Sequence, residues 1–292
     1  MSYIHEKTRE VVRPDVALRG RIGDRLREAG KLDEDDINRI LLAQSRSNSK
    51  FGEAAVELNL LTAEEVNVAL SEQYTYPVLH SDAMAWSPEV FAARHPFGAQ
   101  SEAIRTLRSE LVLRGVGDST KTIAVVGSNR EDGASVASAN LAVAFAQLGE
   151  RTLLIDANMR DPRQHLLFGI SESRGLSSVL DGRCAMNEVV SQMHPFENLS
   201  VLTAGPPPPN PQELLGQIEF AYLVETASAA FDLVIIDTPP LQEFADAQTV
   251  ARRAGSCLCV ARRHSTKLSD IAQFKAQMDR AGALVVGAVV WD

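Results

Sequence analysis

The forty residues from Lys121 to Arg160, KTIAVVGSNREDGASVASANLAVAFAQLGERTLLIDANMR, constrain the fold more than any other stretch of the chain. A run rich in β-branched residues (Thr122 to Val126) enters a polar turn (Gly127 to Ser135), which opens into a helical pattern of Ala, Leu and Val. A second apolar run, Thr152 to Ile155, ends at Asp156. Strand, turn, helix and strand in that order place the polar turn at a helix N-terminus, which suits phosphate. The phosphate-loop pattern G-x-x-x-x-G-K-[ST] uses such a turn: amides cradle the phosphates, the Lys reaches the β and γ oxygens and the hydroxyl binds Mg²⁺. Here the frame runs from Ser128 to Gly133, Ala134 occupies the Lys position and Ser135 keeps the hydroxyl. Ser128, Arg130, Gly133, Ala134 and Ser135 are therefore the candidate phosphate-facing residues.

Further apolar runs follow at Leu199 to Leu202, Leu233 to Ile236 ending in Asp237, Cys257 to Val260, and Leu284 to Val290. Helical patterns separate them, one of them started by Asn210 and Pro211 with Glu213 at the third position. The expected fold class is α/β: a P-loop (deviant Walker) parallel sheet flanked by helices, preceded by a small all-helical repeat domain. Ligands in such sheets sit at the carboxyl ends of the strands, so the loop, Asp156 and Asp237 are expected to converge. LVIIDTPP has the form of a Walker B strand, and Ser135, Asp156 and Asp237 are the candidate Mg²⁺ ligands. If the site is active, Asp156, Asp237 and Arg130 carry the catalysis.

Length and charge narrow the class. The chain has 292 residues with 45% hydrophobic content, enough for one large domain and a smaller one. A net charge of −9 argues against non-specific nucleic-acid binding. Cys184, Cys257 and Cys259 have no zinc-ligand spacing, and two of them lie in an apolar run, so they read as buried thiols. No window approaches eighteen apolar residues, and MSYIHEKTREVVRPD is too charged for a signal peptide. A cytoplasmic protein is expected, without direct membrane insertion, reaching the inner membrane only through a partner.

Residues Arg21 to Gln44 and Lys50 to Gln73 are two copies of one motif at a 29-residue period, joined by SRSNS. Arg21 aligns with Lys50, Gly23 with Gly52, Leu32 with Leu61, Leu41 with Leu70 and Gln44 with Gln73. Each copy reads as helix, turn, helix. Gly30 and Asn59 suit a left-handed C′ position, Thr62 with Glu65 forms a capping box, and Asp33 is the N-cap of the first copy. Ile22, Leu26, Ile37, Ile40 and Leu41 recur at helical spacing as core. The form RLGxxLxxxGxLxxxxLxxxLxxQ resembles the MshEN domain, related to the N-terminal domain of type II secretion ATPases, a family that binds cyclic di-GMP. That resemblance implies Arg21, Gly23, Gln44, Lys50, Gly52 and Gln73 as the ligand surface. Lys50, Asn59 and Ala55 depart from the pattern in the second copy.

The expected organisation is a tail (1–16), the repeat domain (17–80), a connector (81–97) and the α/β domain (98–292). The α/β domain opens with an amphipathic helix, SEAIRTLRSELVLR, in which Glu102, Arg105 and Arg108 share one face. Either that face is simply solvated or, as E-x-x-R-x-x-R, it is similar to the self-association motif of bacterial tyrosine kinases. RDPRQHLLFG, GLSSVLDG and LTAGPPPPNPQELL extend the resemblance to the kinase domain of the bacterial tyrosine kinase and polysaccharide co-polymerase family, in its EpsG-type stand-alone form. The resemblance implies ATP, Mg²⁺ and a membrane polysaccharide co-polymerase as partner.

Three departures bear on activity. Ala134 replaces the loop Lys, a loss of about 3 kcal/mol or roughly a hundredfold in rate by analogy with one oxyanion donor. Asn158 replaces the second Asp of the LLIDADLR pattern, and ALVVGAVVWD has no tyrosine cluster. Glu131 is expected to set a carboxylate against the phosphates, which Arg130 partly offsets. The leading expectation is a regulatory pseudokinase of exopolysaccharide biosynthesis that senses cyclic di-GMP; the alternative is a weak or partner-dependent autokinase or ATPase. A partitioning ATPase of the ParA or MinD sort ranks last, because Asn129 stands where its signature Lys belongs.

Overall fold

The structure, a computed structural model, describes residues 22–47, 49–74, 77–79, 85–171 and 173–292. The chain forms two compact units, Met1–Tyr76 and Pro77–Asp292.

In the first unit, α1 (Ile22–Glu28) and α2 (Glu34–Ser47) form one copy of the repeat, α3 (Phe51–Glu57) and α4 (Ala63–Tyr74) the other. The copies interlock, α1 packing on α4 and α2 on α3. Their core holds Leu26, Leu32, Ile40, Ala54, Ala55, Leu61, Val66 and Ala69. Leu41, expected in that core, is 49% exposed; its neighbour Ile40 takes the inward position on the helix. Both turns use a left-handed residue, Gly30 (φ 69°) and Asn59 (φ 55°). Glu65 closes the expected box: its carboxylate accepts the Thr62 amide at 2.9 Å while its own amide donates to Thr62 Oγ1 at 3.2 Å. Asp33 Oδ1 likewise accepts the Asp36 amide at 2.7 Å.

The second unit begins with α5 (Phe91–Arg94) and α6 (Ala99–Leu113). Then come β1 (Thr122–Gly127), α7 (Ala134–Gln147), β2 (Thr152–Asp156), α8 (Gln164–Phe168), α9 (Leu176–Leu180), β3 (Ser191–Gln192) and β4 (Leu199–Leu202). The remainder is α10 (Pro211–Gly216), α11 (Ile218–Ala230), β5 (Leu233–Asp237), α12 (Asp246–Ala254), β6 (Ser256–Arg262), α13 (Leu268–Ala281) and β7 (Leu284–Trp291). The sheet order is β3-β4-β2-β5-β1-β6-β7, parallel throughout except for the two-residue edge strand β3. The parallel α/β sheet flanked by helices is thus as the alternation of runs implies.

The strands are apolar on both faces because helices cover both. Ile123, Val125, Leu154 and Ile235 point to the layer of α7, whereas Ala124, Val126, Leu153 and Ile236 point to the opposite core with α11, α12 and Met278 of α13. Cys257 and Cys259 lie in that second core as free thiols, their ionisation pushed by burial to about 12 and about 11. The described part of the connector, residues 85–97, belongs to the first core: Trp86 packs on Phe168 and Phe196, and Val90, Ala92 and Ala93 are buried. Asn140 of α7 fastens it, accepting the Ala92 amide and donating to the Glu89 carbonyl, each at 2.8 Å. Among the described residues no helix is long and apolar enough to cross a membrane.

Candidate functional site

β1 carries the chain outward to Gly127, and α7 carries it back from Ala134; the loop between them lines a shallow open cleft. Arg130–Asp132 forms a single 3-10 turn, and Gly133 is left-handed (φ 77°). A Cβ at Gly133 would come within 2.8 Å of the Trp291 indole, so glycine is required there by space as well as by backbone. The turn is held from beneath. Asp132 is fully buried, accepting the Asn129 amide at 2.8 Å and the Thr266 hydroxyl at 2.6 Å, while the Trp291 indole donates to the Asp132 carbonyl at 2.8 Å.

This geometry corrects the expectation for Glu131. Its side chain is exposed and is not among the cleft-lining residues, because the 3-10 turn directs Asp132 inward and its predecessor out. That carboxylate therefore does not face the phosphate position. Arg262 reaches the Glu131 carbonyl at 3.3 Å and Arg263 pairs with Asp292, so the end of β6 braces the chain locally. Arg130 does line the cleft. Its guanidinium bridges Asp161 at 2.9 Å and Glu243 at 3.1 Å, linking the loops after β1, β2 and β5.

Beneath the cleft, β2 and β5 end in register at Asp156 and Asp237, both fully buried. Asp156 accepts three amides, from Asn158, Arg163 and Gln164, at 3.0–3.1 Å. Burial nevertheless drives its ionisation well above the usual carboxylate range, and the neighbouring Asp237 adds to the shift. Burial pushes Asp237 to about 6, against the pull of the Gln164 amide and the Ser135 hydroxyl. Gln164, which carries no functional signal of its own within RDPRQH, is fully buried and donates to Asp237 Oδ2 at 2.7 Å and to the Ser135 carbonyl at 3.0 Å. Asp237 Oδ1 and Gln164 Oε1 have no hydrogen-bond partner, nor has Ser128 Oγ in the loop. Buried orphan oxygens are costly in a finished interior and are expected at a site completed by a ligand. Asn158 is a turn-former here: its amide nitrogen donates to the Asp161 carbonyl at 2.8 Å and its oxygen accepts the Asp161 amide at 3.2 Å.

No protein-family model matches the chain. The tyrosine-protein kinase YwqD of Bacillus subtilis is 36% identical over 201 residues, 69% of this chain and 84% of that protein. The chain belongs to the bacterial tyrosine-protein kinase family. The tyrosine-protein kinase etk of Escherichia coli K12 is 33% identical over 199 residues, 68% of this chain but 27% of that larger protein. Among solved structures, the kinase domain of Escherichia coli tyrosine kinase ETK superposes with a TM-score of 0.68 at 29% identity, covering 75% of this chain and 91% of that one. The Pyrococcus horikoshii septum site-determining protein MinD, solved with Mg-ADP, shares the fold at a TM-score of 0.51 and 19% identity.

Against this kinase-family background the remaining candidates can be placed. On α6, Arg105 bonds Glu102 and the Pro96 carbonyl, and Arg108 bonds the Ala144 carbonyl at 2.7 Å. Both arginines are half-buried and committed within the chain, and Glu102 is the exposed member of the three. In the repeat unit, Gly23 and Gly52 are packing positions. A Cβ on Gly23 would meet the Phe51 ring at 3.3 Å, and one on Gly52 would meet Val66 at 2.4 Å. Gln44 donates to the Ser49 carbonyl at 3.0 Å, tying the closing Gln of copy one to the residue before the leading Lys of copy two, and the Lys50 amide donates to Glu53. Arg21 and the side chain of Gln73 lie outside the described residues.

Proposed function

We propose that this chain is a regulatory member of the kinase family in exopolysaccharide synthesis, one that binds ATP with Mg²⁺ but transfers the phosphoryl group poorly, and that responds to cyclic di-GMP through its repeat unit. The observation that carries the reading is Ala134 as the first residue of α7 above an otherwise complete cradle. A loop without its lysine keeps the amides and the hydroxyl that bind phosphate. It loses the charge that stabilises the transferring group.

The oxygens below the loop suit a hard divalent cation: Ser135, Asp156 and Asp237 would hold it, with the orphan Asp237 Oδ1 available and both carboxylates short of counter-charge. Bound there, Mg²⁺ would neutralise the phosphate oxygens and restore both carboxylates to their ionised form. Gln164 orients Asp237, and the amides of Asn158, Arg163 and Gln164 orient Asp156. Arg130 ties the three loops that would have to part or close around the phosphates. For cyclic di-GMP, Gly23, Gln44, Lys50 and Gly52, with Arg21 and Gln73, form the proposed surface. The membrane polysaccharide co-polymerase is the proposed partner, and Glu102 is the accessible end of the proposed self-association face.

Titrating the purified chain with cyclic di-GMP and separately with Mg·ATP tests both halves. Binding of each, with phosphate release near background, is the expected result. A second reading, a partner-dependent autokinase, is favoured by the intact Ser135, Asp156, Asp237 and Gln164 arrangement. Phosphotyrosine formation in the presence of the co-polymerase, abolished by Asp237→Ala, would establish the second reading and remove the first.

A further inference from the structure

The cleft that lost its lysine is lined by two other cations, Arg130 and Arg163, on different elements. Sequence position favours Arg130, since it lies within the loop. The geometry favours the other. The Arg130 guanidinium is bound on two sides, by Asp161 and by both oxygens of Glu243, so two carboxylates already over-neutralise it. Recruiting it for a phosphate means breaking both pairs and leaving two carboxylates facing an anion. Among the described residues Arg163 is held by one side-chain contact, its Nη2 donating to Glu89 at 3.0 Å, with the two side chains 43% and 48% exposed. Such an exposed pair is weakly held and breaks readily.

The backbone of Arg163 is anchored, whereas its guanidinium is partly exposed. Its backbone amide is fixed on Asp156 Oδ2 at 3.1 Å, directly below the cleft, and the next residue, Gln164, spans Asp237 and Ser135. The side chain therefore springs from the floor of the site, opposite the helix start where Ala134 presents only a methyl group. Two exposed states are thus available to one guanidinium: parked on Glu89, or turned over the cleft toward an anion.

We propose that Arg163 supplies the cation missing at Ala134, leaving Glu89 to hold the terminal phosphate of a bound nucleoside triphosphate. The inference rests on the reading that the cleft binds nucleotide, and it adds which residue discriminates triphosphate from diphosphate. Arg163 serves here as a specificity-determining binding residue. A guanidinium is suited to the task, because its planar fork pairs with phosphate in two places, as a shorter cation at position 134 cannot. Glu89 is then the competitor: it holds the arginine away until a more highly charged acceptor arrives.

The test is isothermal titration of the full chain with Mg·ATP and Mg·ADP in five versions: unchanged, Arg163→Gln, Arg163→Lys, Glu89→Gln and Arg130→Gln. Arg163→Gln is expected to weaken ATP by roughly tenfold or more, the scale of one charge-assisted contact, and to change ADP far less. Glu89→Gln should tighten ATP about twofold to fivefold by freeing the arginine, the scale of an exposed ion pair. Arg163→Lys should recover part of the loss. All these side chains are partly exposed, and thermal melts should match the unchanged chain, which separates lost binding from lost fold. If the unchanged chain binds neither nucleotide, the reading of the site falls and the inference with it. If it binds ATP and Arg163→Gln binds equally well, or Arg130→Gln proves the more damaging, the site stands and Arg163 is not its cation.

Discussion

The helical unit and the α/β unit treat their polar groups in opposite ways. In the repeats, charges are spent at helix ends: Glu65 sits on the Thr62 amide and on Lys31, and these bonds hold its carboxyl down at about 2. No buried side-chain polar atom lacks a partner among that unit's described residues. In the α/β unit two carboxylates are buried side by side at the strand ends and are pushed up, one of them to about 6. The first arrangement stabilises a fold. The second opposes it, which is what a site awaiting a cation is expected to do.

The difference predicts opposite responses to pH. Asp237 is raised in the folded state, so its contribution to stability is present below the ordinary carboxylate value and is lost as pH rises through about 6. A displacement of about two units corresponds to about 3 kcal/mol. In metal-free protein, Asp237→Asn should remove that loss and raise stability at pH 7 by an amount of this order. Both tryptophans, Trp86 and Trp291, are in the α/β unit, so their fluorescence during urea unfolding follows this unit alone. If the melt of the α/β unit does not weaken between pH 4 and 7, the carboxylate pair is not under the stress described.

A smaller effect comes from the repeat unit's packing. Gly52→Ala sets a methyl group 2.4 Å from Val66, and overpacking of this kind costs about 1–3 kcal/mol. Loss of far-UV ellipticity at lower urea, with tryptophan fluorescence unchanged, is the expected signature. Smallest is Thr62→Ala, which removes one side of the capping box at about 1 kcal/mol. Because the Glu65 carboxyl is depressed, the contribution of its contacts is present above the ordinary glutamate value and fades as pH falls toward 2. The α/β unit should therefore gain first, as pH falls from about 6 toward the ordinary carboxylate value of 3.8, and the helical unit should weaken at lower pH, from 4.5 toward about 2.

Much of this contrast is legible in the chain. Gly30, Asn59 and the Thr62–Glu65 pair announce helix ends because the chemistry of an end is local, a matter of three or four residues. The apolar runs announce strands, and Asp156 and Asp237 announce their carboxyl ends. What stays hidden depends on distant partners. Whether Asp132 or Glu131 faces inward is decided by Thr266 and Trp291, more than a hundred residues away, and a polar loop has no periodicity to reveal it. Gln164 looks like an ordinary helix residue until the fold sets it across Asp237 and Ser135. Leu41 shows the limit of periodicity itself: on α2 its neighbour Ile40 takes the fully buried position, and Leu41, at the edge of the apolar stripe, stays 49% exposed.

The Asn140 carboxamide joins the backbone at Glu89 and Ala92 to the long helix that begins at the phosphate loop. It acts as a rivet between the segment that enters this unit and the rod on which the nucleotide cradle is mounted. The same stretch carries Glu89, the partner of Arg163, so one short length of backbone is tied both to the middle of that rod and to the guanidinium beside the cleft.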